Sequence, residues 1–161
     1  MDALHLTQTA DITVICETKL NSLVQDASLE ISGYQMYRAD RNSCGGGVIV
    51  YTNENLKVTQ LMSTQQDYNR LGIETIILSI NLRYLTDLAI FICAYRPPNS
   101  GKNWFELFEQ LVTYLMPMGK LFIMGDLNAD LLKPCDYRVK NKLFGLRSST
   151  ARRMLHQIKS V

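Results

Sequence analysis

Two carboxylates in this chain stand where short apolar runs stop. FIMGDLNAD at 122–130 ends in Asp126 and Asn128, and DITVIC at 11–16 is followed by Glu17. Asp126 is an ionised acceptor and Asn128 both donates and accepts, so the pair could hold a water or metal while fixing a substrate oxygen. Residues two apart leaving an extended strand aim their side chains the same way, and Gly125 before them would let a ligand approach the backbone. The alternative is an Asx turn, in which Asp and Asn only satisfy the loop. Glu17 reads as a second carboxylate able to share one Mg²⁺ with Asp126, because that ion takes few protein ligands and keeps its waters. It reads equally as a solvated Glu at a helix start. A third locus is CAYRPPNS at 93–100, where Tyr95 and Arg96 leave an apolar run into Pro97-Pro98. A phenol and a guanidinium there could hold a phosphate; otherwise they are a capping Tyr and a surface Arg.

Arg38, Asp40 and Arg41 precede Gly45-Gly46-Gly47. These arginines read either as phosphate contacts or as an Arg-Asp surface pair beside a glycine turn. The glycine run is no P-loop, since no Lys-Ser or Lys-Thr follows it. His5 and His156 are the only histidines and lie in helical contexts, so both are expected to be packing or surface residues. Cys16, Cys44, Cys93 and Cys135 form no C-x-x-C pair, which favours reduced thiols in an intracellular setting over a disulfide framework or zinc site.

The elements that must position these groups are legible from periodicity. Runs at 11–16, 34–38, 47–52, 73–82, 87–95 and 120–124 predict strands, several of them apolar on both parities, as strands covered on both faces are. Four residues separate the fourth and fifth, a hairpin spacing. Asn103 with Glu106 three residues on predicts a capped helix, whose Trp104, Leu107, Phe108, Leu111 and Leu115 recur on one face. Shorter helices are expected at 1–9, at 21–29 and from Ser149 onward. At 161 residues, with 47% hydrophobic and 20% charged positions, the chain suits one domain spanning 1–161. Disordered, collagen-like and membrane-bundle compositions are excluded. The longest apolar run, 88–95, falls well short of the ~18 residues a membrane span needs, so no membrane partner is expected. A net charge of +2 excludes binding of nucleic acid by bulk charge alone and leaves room for a local basic patch. Strand hairpins with interspersed helices indicate an α/β (α+β) sandwich rather than a doubly wound parallel sheet.

Taken in order, the blocks DITVICETKL (11–20), YQMYRADRNSCGGGVIVY (34–51), IETIILSI (73–80), CAYRPPNS (93–100) and KLFIMGDLNAD (120–130) resemble the endonuclease/exonuclease/phosphatase superfamily. The nearest likeness is to the apurinic-endonuclease-like domain of non-LTR retrotransposon polyproteins. The resemblance implies a DNase I-like sandwich of two mostly antiparallel sheets flanked by helices. It is incomplete, lacking the family's first, Asn-bearing strand and its C-terminal Ser-Asp-His segment. It implies hydrolysis of DNA phosphodiesters with Mg²⁺ or Mn²⁺, a fused or separate reverse transcriptase as partner, and an intracellular, nuclear location. By the same resemblance Glu17 is a metal ligand together with Asp126, and Tyr95 binds the scissile phosphate. Asp126 orients and deprotonates the attacking water, and Asn128 holds that water or a phosphate oxygen. Arg38, Arg41, Arg96 and Asn99 contact the DNA. The missing segments carry a second expectation: a catalytically inactive relic, at most a module that binds nucleic acid or protein.

Overall fold

Val and Ile dominate the apolar runs, and their branched side chains fill a pleated surface that is covered on both sides. A computed structural model describes residues 10–42, 44–63, 74–82, 86–101 and 103–129. Its strands are β1 (Ile12–Cys16), β2 (Tyr34–Ala39), β3 (Val48–Asn53), β4 (Lys57–Ser63), β5 (Glu74–Asn81), β6 (Ala89–Tyr95) and β7 (Lys120–Asp126), with helix α1 (Trp104–Leu115) between the last two. One sheet has the order β1-β3-β2 and the other β4-β5-β6-β7. Every pairing is antiparallel except β6 with β7. The expected sandwich of two mostly antiparallel sheets is therefore present.

Strand parity explains how both faces of the larger sheet are buried. Ile76, Leu78 and Ile80 of β5 and Ala89, Phe91, Cys93 and Tyr95 of β6 pack with Ala39, Val48 and Val50 of the smaller sheet. The alternate residues Ile77, Ile90, Ile92 and Ala94 pack against Trp104, Phe108, Leu111, Val112 and Leu115 of α1. The helix thus spreads one apolar stripe over the outer face, and each large side chain fully buried there contributes about 1.5–3 kcal/mol. Trp104 stacks on Phe108 with ring centroids 4.9 Å apart.

Three expectations need correction. The Asn103 side chain makes no bond to the first turn of α1; the Trp104 N–H instead finds the Gly101 carbonyl at 3.0 Å. The segment 21–29 holds only a single 3₁₀ turn, Asp26–Ser28. Asn21 Oδ1 accepts the Leu23 N–H at 2.9 Å, and this local alternative competes with a helix. Among the described residues α1 is the one α-helix, and no helix there is long and apolar enough to cross a membrane. β4 was absent from the predicted strands. It is an edge strand whose register slips between Gln60 and Met62, and such a slip breaks the period-two pattern. The helices expected at 1–9 and from Ser149, with His5, His156 and Cys135, lie outside the described residues. Cys16, Cys44 and Cys93 are free thiols.

Candidate active site

Strand register lines up three polar residues at one end of the larger sheet. Glu74 is opposite Tyr95 across β5 and β6, and Tyr95 is beside Asp126 across β6 and β7. Registered partners share a face, here the face toward the smaller sheet. Glu17, the first residue past β1, comes from that other sheet, and its Oε1 accepts the Tyr95 hydroxyl at 3.0 Å. The two carboxylate residues that ended separate apolar runs are thereby each brought beside Tyr95.

The backbone around these residues is unusual. Glu17, Lys19 and Asn128 have φ of 60°, 55° and 44°. Asn tolerates this left-handed region, but Glu and Lys rarely enter it, and each such residue costs about 1–3 kcal/mol unless its surroundings hold it. Those surroundings are the loop between β2 and β3. Its Gly46 carbonyl accepts the Lys19 N–H at 2.9 Å, and its Gly47 carbonyl accepts the Thr18 N–H at 3.4 Å.

The exit of β7 is tied to the exit of β6. Asp126 Oδ1 accepts the Asn128 N–H at 2.8 Å, so the Asx turn read from sequence does form, using one carboxylate oxygen. Asn128 Nδ2 donates to the Arg96 carbonyl at 2.7 Å, and the Arg96 N–H donates to the Asp126 carbonyl at 2.8 Å. The Arg96 guanidinium donates through one terminal nitrogen to the carbonyls of Leu127 at 3.3 Å and Asn128 at 3.1 Å. It lies over the Phe105 ring, 4.6 Å from the centroid. Gly125 has a physical role other than the one expected. A Cβ at this position would overlap the Ala94 carbonyl oxygen and sit 2.9 Å from its carbon, so the glycine admits the neighbouring strand rather than a ligand.

Negative charge accumulates here. Burial, then the bond to Glu17, then the charges of Glu17, Glu74 and Asp126 push the Tyr95 phenol up to about 12. Burial first, with the same three carboxylates behind it, pushes the Cys16 thiol up to about 11. Both groups therefore keep their protons at neutral pH. Excess carboxylate among hard oxygen donors suits Mg²⁺ or Mn²⁺ rather than zinc. Among the described residues no three His, Cys, Asp or Glu side chains form a closed cage. Mg²⁺ commonly takes one or two carboxylates and completes its shell with waters and substrate phosphate, so Glu17 and Asp126 fit it.

The arginines fare differently from one another. All five N–H groups of Arg38 are engaged, by Asp40, Asp26 and the carbonyls of Val24 and Asn21. Arg38 thus ties the 21–29 segment to β2, and in this conformation it has no donor left for phosphate. Arg41 donates to Glu74 at 3.0 Å and keeps a third of its side chain exposed. Asn99 is exposed in the turn after Pro97-Pro98. Glu74 was not singled out from sequence. Its signal was a charge in the otherwise apolar row of Ile76, Leu78 and Ile80.

The chain belongs to the Endonuclease/Exonuclease/phosphatase family, which it matches over residues 2–140. Among solved structures it is similar to the endonuclease domain of TRAS1, a telomere-specific non-LTR retrotransposon. That likeness has 17% identity and a TM-score of 0.58, over 89% of this chain and 63% of that one. It is also similar to truncated Caenorhabditis elegans TDP2, at 15% identity and a TM-score of 0.52, over 78% and 51% of the two chains. The human Nocturnin catalytic domain gives 15% identity and a TM-score of 0.52, over 90% and 63%. These likenesses establish a shared fold, and the chain spans between about half and two-thirds of each relative. A comparison with curated proteins finds no match.

Proposed function

We propose that this chain is a nuclease domain that hydrolyses DNA phosphodiesters with Mg²⁺ or Mn²⁺. The observation that carries the reading is that Glu17, from one sheet, bonds Tyr95, which in the other sheet is in register beside Asp126. Glu17 and Asp126 would hold the cation, which supplies charge neutralisation on the phosphate oxygens. Tyr95, whose phenol stays protonated, would turn its single O–H from Glu17 Oε1 to a non-bridging oxygen once the cation takes that carboxylate. Asp126 accepts the proton of the attacking water as the new P–O bond forms; the sugar oxygen leaves with the electrons of the broken P–O bond and is protonated from solvent. Asn128, fixed by its Asx turn and by the Arg96 carbonyl, orients the water or a phosphate oxygen. Arg41, which keeps a third of its side chain exposed, Arg96 and the exposed Asn99 are the groups this reading assigns to the DNA backbone. DNA as substrate is supported by the TRAS1 likeness. A reverse transcriptase partner and a nuclear location rest on the resemblance of the sequence blocks, and 1–161 is read as one domain.

The test is nicking of supercoiled plasmid in Mg²⁺. Asp126→Ala should lower the rate by about a thousandfold, the scale of a lost general base, and chelation should abolish it. Wild-type protein that leaves plasmid intact, or an Asp126→Ala variant as fast as wild type, would falsify the catalytic reading and favour a module that only binds.

A further inference from the structure

Glu74 is 3% exposed at the first position of β5. A carboxylate in that apolar row is costly unless it is hydrogen-bonded, and both of its oxygens are. Oε2 accepts the Gly47 N–H at 2.7 Å and Oε1 accepts Arg41 at 3.0 Å. These bonds cross from the larger sheet to the loop between β2 and β3 of the smaller one. The same loop, through the carbonyls of Gly46 and Gly47, holds Lys19 and Thr18, and so holds the segment in which Glu17 and Lys19 are kept left-handed. There is no slack in the path. A Cβ at Gly46 would sit 2.6 Å from Glu74 Oε2, and one at Gly47 would sit 2.5 Å from Thr18 Oγ1. Each link from Glu74 to the backbone beside Glu17 is thus a hydrogen bond or a close contact, and the far end of the path is the carboxylate that meets Tyr95.

We infer that Glu74 is a positioning residue for Glu17, acting through the Gly46-Gly47 loop to hold that carboxylate toward Tyr95 and Asp126. Its importance for metal rests on the proposed nuclease reading; the mechanical link does not. In this role Glu74 acts through the loop it bonds and touches neither metal nor phosphate.

Glu74→Gln keeps the size and one acceptor but cannot serve both donors with oxygen. Amide hydrogen exchange at 17–19 should quicken while exchange in β5 and β6 stays as in wild type. The Mg²⁺ concentration for half-maximal nicking should rise about tenfold, the lower end of the effect of losing a ligand's supporting partner. The rate at saturating Mg²⁺ should recover. Gly46→Ala, which pushes on Glu74 from the other side, should move both readouts in the same direction. A Glu74→Gln protein that melts lower yet keeps wild-type exchange at 17–19 overturns the inference, as does an active variant with unchanged Mg²⁺ half-saturation. If wild type itself does not nick, the nuclease reading fails alone, and the exchange measurement still decides the link between Glu74 and Glu17.

Discussion

The Tyr95 hydroxyl donates to Glu17 Oε1 at 3.0 Å, joining the last residue of β6 in one sheet to the first residue past β1 in the other. The bond makes the relative placement of the two sheets part of the site. A shift of one sheet over the other would separate Glu17 from Asp126 before it exposed much of the core.

Tyr95→Phe removes that hydroxyl and leaves the ring in place. Because Glu17 is exposed, water can replace the lost donor, so stability at neutral pH should change by less than about 1 kcal/mol. Nicking should fall about a hundredfold, as when one preorganised donor to a reacting oxygen is lost. The pH dependence has a definite sign. The folded phenol titrates at about 12 against an ordinary 10.0, so the folded state keeps its proton longer. The contribution is complete below pH 10 and is lost as pH rises toward 12. Tyr37 and Tyr51 are also raised by burial, so the comparison to make is wild type against Tyr95→Phe. Urea midpoints measured near about pH 9 and about pH 11 should fall further in wild type; parallel falls would refute the assignment.

Gly125→Ala tests the close approach of β7 to β6. The glycine has φ 125°, where side chains are rarely found, and a Cβ would meet the Ala94 backbone. Stability should drop by about 3 kcal/mol or more, combining backbone strain with overpacking. A thermal midpoint unchanged from wild type would show that the strands separate easily there.

Arg96 distinguishes a loop clamp from a phosphate ligand. Its guanidinium bonds two carbonyls of the Asp126–Asn128 turn and covers Phe105. Arg96→Lys loses the planar fork and the stacking, and should slow nicking while leaving the salt dependence of DNA binding unaltered. A salt slope reduced by about one would instead mean that Arg96 neutralises a phosphate directly.

Much of this architecture could be read from the residues, for identifiable reasons. The runs that became β3, β5 and β6 are buried at both parities, while β1 and β7 are half-buried along their length, and a run apolar at both parities is recognisable without knowledge of partners. β4 was hidden because an edge strand with a register slip alternates poorly. Asp126, Asn128 and Glu17 were visible as polar groups at strand ends, yet the Tyr95–Glu17 bond spans 78 positions of sequence, and no local pattern encodes it. Gly125 was misread because a glycine before a candidate ligand gives the same signal whether substrate or a neighbouring strand comes close. Arg38 was ambiguous until its five acceptors were seen, and Glu74 became meaningful only with the loop it bonds.

The parallel pairing of β6 with β7 also orders events in time. A hairpin cannot make such a pairing, so the chain must first run through α1 and return. β4, β5 and β6 pair with their sequence neighbours, and contacts of that kind form sooner than ones that close a longer loop. Asp126 therefore reaches Tyr95 late, and a chain still being synthesised carries Glu17 and Tyr95 without the residue that would activate water. Pulsed hydrogen exchange during refolding should protect β5 before β7; simultaneous protection would contradict this order. On the proposed nuclease reading, the site could not act on nearby DNA until folding is nearly done.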